Sequence, residues 1–163
     1  EEVLRQAFNT TEVEIEFLSD LIKDNHFNLQ KVKPYFSSAE GTGYGENMLE
    51  NSNGWMLRYI RKASERMIDL TSRFKDDSGL KARSLNLAAK EILLAQSGDW
   101  PLMISEKINP EYAEQRFKES VLAFSTVFDS LGSNTVSTEW LTKLEAKDSV
   151  FPWMNYRIFS KKR

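Results

Sequence analysis

Cysteine is absent from this chain and histidine occurs once, and these two gaps exclude more chemistry than any residue present suggests. Without cysteine there are no disulfides, no thiolate nucleophile and no Cys-based metal centre, a usage that fits a cytoplasmic protein. The one histidine, His26, follows Asn25 and is expected at a solvent-facing turn rather than as a ligand or base. A zinc site would need a second His or a Cys, so no metal and no cofactor are expected. A nucleophile triad would depend on that same His, and no G-x-S-x-G elbow accompanies it. Net charge is only −2, which gives no electrostatic reason to expect nucleic acid or an anionic membrane surface as partner. No apolar run is long enough to span a bilayer and no secretory leader is visible, so the expected location is cytoplasmic. The chain starts at Glu1 rather than Met, as a piece of a longer protein would.

What is present is enough for a core: 163 residues, 40% hydrophobic and 12% aromatic, correspond to one domain or one and a fraction. Hydrophobic periodicity is helical almost throughout. Thr11 with Glu14 forms a capping-box pattern, followed by Val13, Phe17, Leu18, Leu21 and Ile22 on one face of a short helix ending near Lys23. Residues 25–53 then lose the period. They carry Pro34, Gly41, Gly43 and Gly45 with several Ser and Asn, yet also Tyr35, Phe36, Tyr44 and Met48, so a long loop with aromatic content is predicted rather than a disordered linker. The glycine cluster lacks the Lys-Ser or Lys-Thr of a phosphate loop, and no strand precedes it.

Beyond the loop, Met56, Ile60, Ala63, Met67, Leu70 and Phe74 predict a long amphipathic helix, with Arg58, Arg61, Lys62, Glu65 and Arg66 mostly on its solvated side. Leu85, Ala88, Ala89, Ile92 and Leu93 predict another, from Leu80 to Gln96. Asn109-Pro110-Glu111 is a start signal with a cap, a proline at the first helical position and an acid in the first turn. Phe117, Val121, Phe124, Phe128 and Leu131 are its buried stripe and Gly132 its expected stop. Ser137 should cap a last short helix carrying Trp140, Leu141 and Leu144. The tail from Val150 to Phe159, with Pro152 and an alternating Tyr156 and Ile158, predicts an extended segment. The fold class is therefore all-α, a bundle of about four or five helices, antiparallel where loops are short, with a long irregular loop near the N-terminus.

The most unusual stretch is Glu91 to Pro101, where an aliphatic helix runs into the polar corner Gln96-Ser97-Gly98-Asp99-Trp100-Pro101. Gly98 should permit the stop and Pro101 should keep the helix from resuming, which holds Asp99 and Trp100 at a fixed bend. An indole beside a carboxylate suits a sugar, because the flat ring offers an apolar face to a pyranose and the acid accepts from its hydroxyls. Core packing for the Trp and helix capping for the Asp are the plainer alternative. Trp55 and Trp140 lie within apolar stripes and are assigned to the core. Arg66 and Arg116 are candidates for buried pairs tying helices to the corner, with Asp99 as one possible acceptor.

This corner resembles a segment of the helical C-terminal domain of glycoside hydrolase family 57, whose members carry a leucine-rich helix ending in A-Q-S-S-D-W-P. Ala95 to Pro101 match it with Gly98 in place of the second Ser. Further segments are similar in the same order. Ser37-Ser38-Ala39-Glu40-Gly41-Thr42-Gly43-Tyr44 looks like the family's S-S-W-G-x-G-G-Y, and Asn53-Gly54-Trp55 with Ala63-Ser64-Glu65-Arg66-Met67 looks like its N-x-W and A-x-x-R-M. Tyr112-Ala113-Glu114-Gln115-Arg116-Phe117 resembles Y-A-x-x-R-F, and Phe151-Pro152 with Asn155-Tyr156-Arg157 resembles F-P followed by D-Y-R. The likeness covers about Pro34 to Phe159. It implies a helical C-terminal domain over 34–163, with residues 1–33 the end of a preceding catalytic barrel or a linker helix; Glu12 to Leu18 would correspond to the helix that closes the barrel.

Family 57 enzymes act on α-1,4-glucans with retention, through a Glu nucleophile and an Asp acid/base roughly 5 Å apart. Both belong to the barrel, so the resemblance implies no catalytic residue in this chain. It implies instead a wall for the glucan cleft, with Tyr44, Gln96, Asp99 and Trp100 as candidate substrate-binding residues and α-1,4-glucan as partner. Two departures stand against this. The family's loop tryptophans fall on Ala39 and Met48, a loss of about 0.5 to 1.5 kcal/mol of stacking each, and Val3 to Ala7 show no D-T-E of an acid-bearing segment. A non-catalytic helical interaction module from a divergent relative is the alternative reading.

Overall fold

The computed structural model describes residues 1–10, 12, 15–25, 27–39 and 43–160, and among them every regular element is helical. The elements are α1 (Glu2–Phe8), α2 (Leu18–Asn25), α3 (Glu46–Leu49), α4 (Trp55–Arg73), α5 (Gly79–Ala95), α6 (Asp99–Ser105), α7 (Pro110–Ser133), α8 (Thr138–Lys147) and a terminal 3-10 turn at Tyr156–Phe159. The capping pair Thr11 and Glu14, Val13, His26 and residues 40–42 of the glycine cluster lie outside the described residues.

The chain divides into two units, Glu1–Phe36 and Ser37–Arg163. The first holds α1 and α2, neither of which contains a buried residue. The second is the helical bundle, and the all-α expectation of about four or five helices is met by α4 to α8. Its central element is α5. Leu85, Leu87, Ala88, Ala89, Ile92 and Ala95 are all buried there, because α4, α7, α8 and the terminal 3-10 turn each pack on it. A helix surrounded in this way loses its amphipathic stripe, and polar residues on it are buried too: Ser84, Lys90 and Glu91. The stripe of α4 supplies Ala63, Met67 and Leu70, and that of α7 supplies Phe124, Val127 and Leu131, to one large cluster around α5. A smaller cluster forms where Met56, Ala95 and Phe117 meet. Burying each of the large side chains stabilises the fold by roughly 1.5 to 3 kcal/mol.

Helix ends differ from expectation in ways that local chemistry explains. α7 runs through Gly132 and stops only at Asn134, which adopts the left-handed conformation at φ 56°. Thr135 N–H then reaches back to the Ser130 carbonyl at 2.9 Å, satisfying an end carbonyl that Gly132 alone would leave open. Asn109 precedes the first helical residue Pro110 as expected, yet it makes no side-chain cap and is itself left-handed at φ 48°. Ser137 does cap α8, its hydroxyl accepting from Trp140 N–H. Gly79 is a case where glycine is needed, since it opens α5 at φ 61°.

The tail is not extended. Met154 N–H bonds to the Phe151 carbonyl at 3.0 Å, closing a turn, and Asn155 caps the 3-10 turn by accepting from Arg157 N–H at 3.1 Å. The reason is Tyr156, fully buried against the main cluster. Its hydroxyl donates to the Phe74 carbonyl at 2.8 Å and its N–H donates to Asn86 Oδ1 at 3.0 Å. An extended strand would have had no neighbour to pair with, whereas this turn satisfies its own backbone and seats one aromatic ring.

Candidate functional site

The 96–101 corner is a tight junction between two helices rather than a stop. α5 ends at Ala95, α6 begins at Asp99, and Gly98 has an ordinary right-handed φ of −63° that draws on no special glycine freedom. Pro101 sits inside the first turn of α6, where its missing N–H would have had no helical partner in any case, so it accommodates the new helix instead of blocking it. The Ser97 hydroxyl bonds Asp99 Oδ2 at 2.8 Å, fixing the carboxylate at the start of α6. Gln96 is exposed and its amide donates to Ser64 Oγ on α4 at 3.2 Å.

Trp100 is half-buried. Its indole N–H donates to the Leu94 carbonyl at 2.6 Å, its ring meets Tyr112 edge-on with centroids 6.3 Å apart, and it packs on the Met56, Ala95 and Phe117 cluster. Part of the ring is thus committed to closing the corner. Tyr44 is 66% exposed, on a turn held by Ser38 N–H to the Gly43 carbonyl at 2.7 Å and by Gly45 N–H to Ser38 Oγ at 2.8 Å. No hydrogen bond or ring contact among the described residues joins Tyr44 directly to Gln96, Asp99 or Trp100.

The link between that loop and the corner is Asn53. Fully buried, it donates from its amide nitrogen to the Asn47 carbonyl at 2.5 Å and to the Pro101 carbonyl at 3.0 Å, so the segment around α3 is fastened onto α6. Its Oδ1 is buried without a partner. Gly54 is required next to it, because a Cβ there would stand 3.0 Å from the Glu50 carbonyl. The Asn-Gly-Trp segment was legible as a motif, but that Asn53 bridges loop and corner was not.

Corrections apply to the other aromatic and cationic assignments. Trp55 is only partly buried. It donates to the Ser52 carbonyl at 3.0 Å, stacks edge-on against Phe117 and Tyr59 at 5.4 and 6.0 Å, and lines a small cavity of about 180 Å³ with Lys118. Trp140 is likewise partly buried, against the main cluster. Arg66 makes no pair with the corner and lies over the Phe128 ring at 4.9 Å. Arg116 does form a part-buried pair, but with Asp148 at 2.8 Å and Glu119 at 3.1 Å rather than with Asp99.

That pair belongs to a charged network that sequence reasoning missed. Glu91, 1% exposed on α5, sits near Ser120 and Arg116 of α7 and near Lys90 and Asp148. Burial pushes its carboxyl up from 4.5 to about 7, the Ser120 hydroxyl pulls down, the Asp148 carboxylate adds to the rise, and Lys90 and Arg116 oppose it. Its Oε1 has no hydrogen-bond partner. Lys90 donates to the Asp148 carbonyl and Lys147 to Glu119 Oε2, the latter at 2.6 Å. Bonds from Lys147, Gln115 and Arg116 hold Glu119 low, at about 2. A signal was available: Glu91 stands three residues after Ala88 and four before Ala95, on the apolar face. Among the described residues no group of three or more His, Asp or Glu is placed to hold a metal ion. No helix among them is long and apolar enough to cross a membrane.

A family model for 1,4-alpha-glucan branching enzyme, C-terminal, matches residues 59–159. The chain belongs to that family. It is 30% identical over 105 residues to the 1,4-alpha-glucan branching enzyme TK1436 of Thermococcus kodakarensis, covering 60% of this chain and 15% of that protein. The same enzyme's crystal structure, a GH57 branching enzyme in complex with glucose and additives, matches 99% of this chain and 30% of its own with a TM-score of 0.80 at 21% identity. The alpha-amylase AmyC from Thermotoga maritima matches 98% of this chain and 29% of its own, with a TM-score of 0.68 at 26% identity. The family 57 resemblance is thus confirmed, and this is the helical C-terminal domain of branching-enzyme-like proteins of that family. The matched part amounts to about 15% of the curated relative's length, and the chain spans about 30% of the solved chains.

Proposed function

We propose that this domain is the accessory wall of an α-1,4-glucan cleft, in an enzyme whose catalytic Glu and Asp lie in a barrel outside the helical domain. The observation that carries the reading is the Asn53 bridge, which ties the loop bearing Tyr44 to the helix opened by Asp99. Asp99 and Gln96 are exposed and keep acceptor oxygens for sugar hydroxyls, and Tyr44 offers an aromatic face. Trp100 fixes the corner and presents the remaining part of its ring. Residues 1–33 belong, in this reading, to the end of the barrel or to a linker helix. Hydrolysis, branching and transfer would be decided by barrel loops. A chain without cysteine loses nothing in a reducing compartment, so the setting in this reading is cytoplasmic.

Ala39 and Met48 favour a second reading, a non-catalytic helical interaction module, because they stand where the resemblance to family 57 would place stacking tryptophans. Titrating the chain with maltoheptaose while following the Trp100 indole N–H resonance separates the two. A saturable shift that weakens several-fold in Asp99→Asn and Gln96→Ala supports the cleft wall. Both side chains are exposed, so the fold survives their replacement. An unmoved Trp100 signal at millimolar sugar, or full affinity in both variants, rejects it.

A further inference from the structure

A second place on the bundle combines a polar cavity with the most exposed indole in the chain. Between α5, α8 and the 148–154 segment lies a cavity of about 420 Å³, whose lining includes Arg83, Asn86, Glu145, Phe151, Pro152 and Met154. That volume falls within the roughly 300 to 1,000 Å³ of small-ligand sites. Trp153 stands between two of the lining residues and is itself 91% exposed.

This exposure is built, since both sides of the turn are anchored. Pro152 and Trp153 are the middle of the Phe151–Met154 turn. Met154 packs on the main cluster, and two residues later Tyr156 is pinned by its bonds to Phe74 and Asn86. Phe151 holds a left-handed φ of 51°, a conformation that is strained for an aromatic residue and that clusters at functional turns. A chain that only needed to reach Tyr156 has no use for a strained aromatic followed by a solvated indole.

The electrostatics of the cavity select the ligand. Its charged lining is two cations, Arg83 and Lys90, and two anions, Glu145 and Asp148. Each is already engaged: Arg83 with Glu145 at 2.6 Å, Asp148 with Arg116 at 2.8 Å, and Lys90 with a backbone carbonyl. An anion or a cation would have to break one of these pairs, whereas a neutral polyhydroxylated ligand can bond to the spare lone pairs and N–H groups without displacing any. The Asn86 carbonyl oxygen is occupied by Tyr156 N–H, which leaves its amide nitrogen as a donor. A neutral polyol with an apolar ring face, laid on Trp153, is a sugar.

We infer that this cavity and Trp153 form a second α-glucan-binding site, separate from the 96–101 corner, by which the domain holds a glucan chain at its surface. The inference rests on the proposed glucan reading for the choice of sugar. The test is the same maltoheptaose titration of the chain, now reading the Trp153 indole N–H, assigned by its loss in Trp153→Phe, with cellohexaose in parallel. The expected result is a saturable Trp153 shift with maltoheptaose, weakened about five- to tenfold in Arg83→Gln and unaffected by Asp99→Asn. In Trp153→Ala, whose lost side chain is solvent-exposed and leaves the core intact, the sugar-induced shift of the Asn86 side-chain amide should disappear. A Trp153 signal that stays fixed while Trp100 moves overturns this site and leaves the cleft wall standing. Movement of Trp153 without Trp100 does the reverse. An equal response to cellohexaose, or no response at either indole, overturns the α-glucan assignment here.

Discussion

Replacing Glu91 with Gln should abolish a pH dependence of stability that the wild-type chain carries in its core. Glu91 is buried on α5 with one carboxylate oxygen unpartnered, and its carboxyl titrates near 7 instead of 4.5. In the unfolded chain it titrates in the ordinary range. Between these two pH values the folded protein therefore binds more protons than the unfolded one, and stability must fall as pH rises. Each unit of difference is worth about 1.4 kcal/mol, so ionised Glu91 should cost about 3 kcal/mol at pH 8 that it does not cost at pH 4. For a domain of this size that corresponds to roughly 6 to 12 °C in Tm. The substituted amide would be neutral at every pH and nearly isosteric with the protonated acid. Urea unfolding followed by circular dichroism at about pH 5 and pH 8 should show wild type losing most of this stability while Glu91→Gln stays level. Parallel pH profiles for the two proteins would refute the reasoning. They would mean that Arg116 and Lys90 keep Glu91 ionised in the fold.

Other perturbations have opposite signs or different readouts. Glu119, held low by Lys147, Gln115 and Arg116, contributes stability above its unfolded range that is lost as pH falls towards about 2, so Glu119→Gln should flatten the acid limb of the same profile. Tyr156→Phe should cost about 1 to 2 kcal/mol in urea unfolding, because it leaves the Phe74 carbonyl without its 2.8 Å donor. Asn53→Ala should cost about 2 to 3 kcal/mol and, more tellingly, should hasten protease cleavage within 43–52, since both bonds fastening that segment to α6 originate on Asn53. Unchanged cleavage would show that packing alone holds the loop. Phe117→Ala should cost about 3 to 5 kcal/mol by emptying the centre of the smaller cluster, measured by the same unfolding.

Local pattern was enough to specify a helical bundle and to say where its long helices run. Stripes such as Met56 to Phe74 and Phe117 to Leu131 repeat at a period that only a helix can bury, and that information lies within each segment. The family was legible as well, since the motifs around Trp55, Ala95 to Pro101 and Tyr112 to Phe117 recur in order. How those pieces work together was settled by packing. Pro101 and Gly98 look like a helix stop, yet a proline in a first turn is compatible with a new helix, and contacts with α3 and α7 selected that outcome. Glu91 and Lys90 look like ordinary helix charges until α7 and the end of α8 close over α5 and remove their water. Trp55 and Trp153 show the same limit in reverse. An indole's place in an apolar stripe or beside a proline is written in the chain, but whether its face meets a neighbour or solvent depends on elements far along the chain, and no local period carries that information.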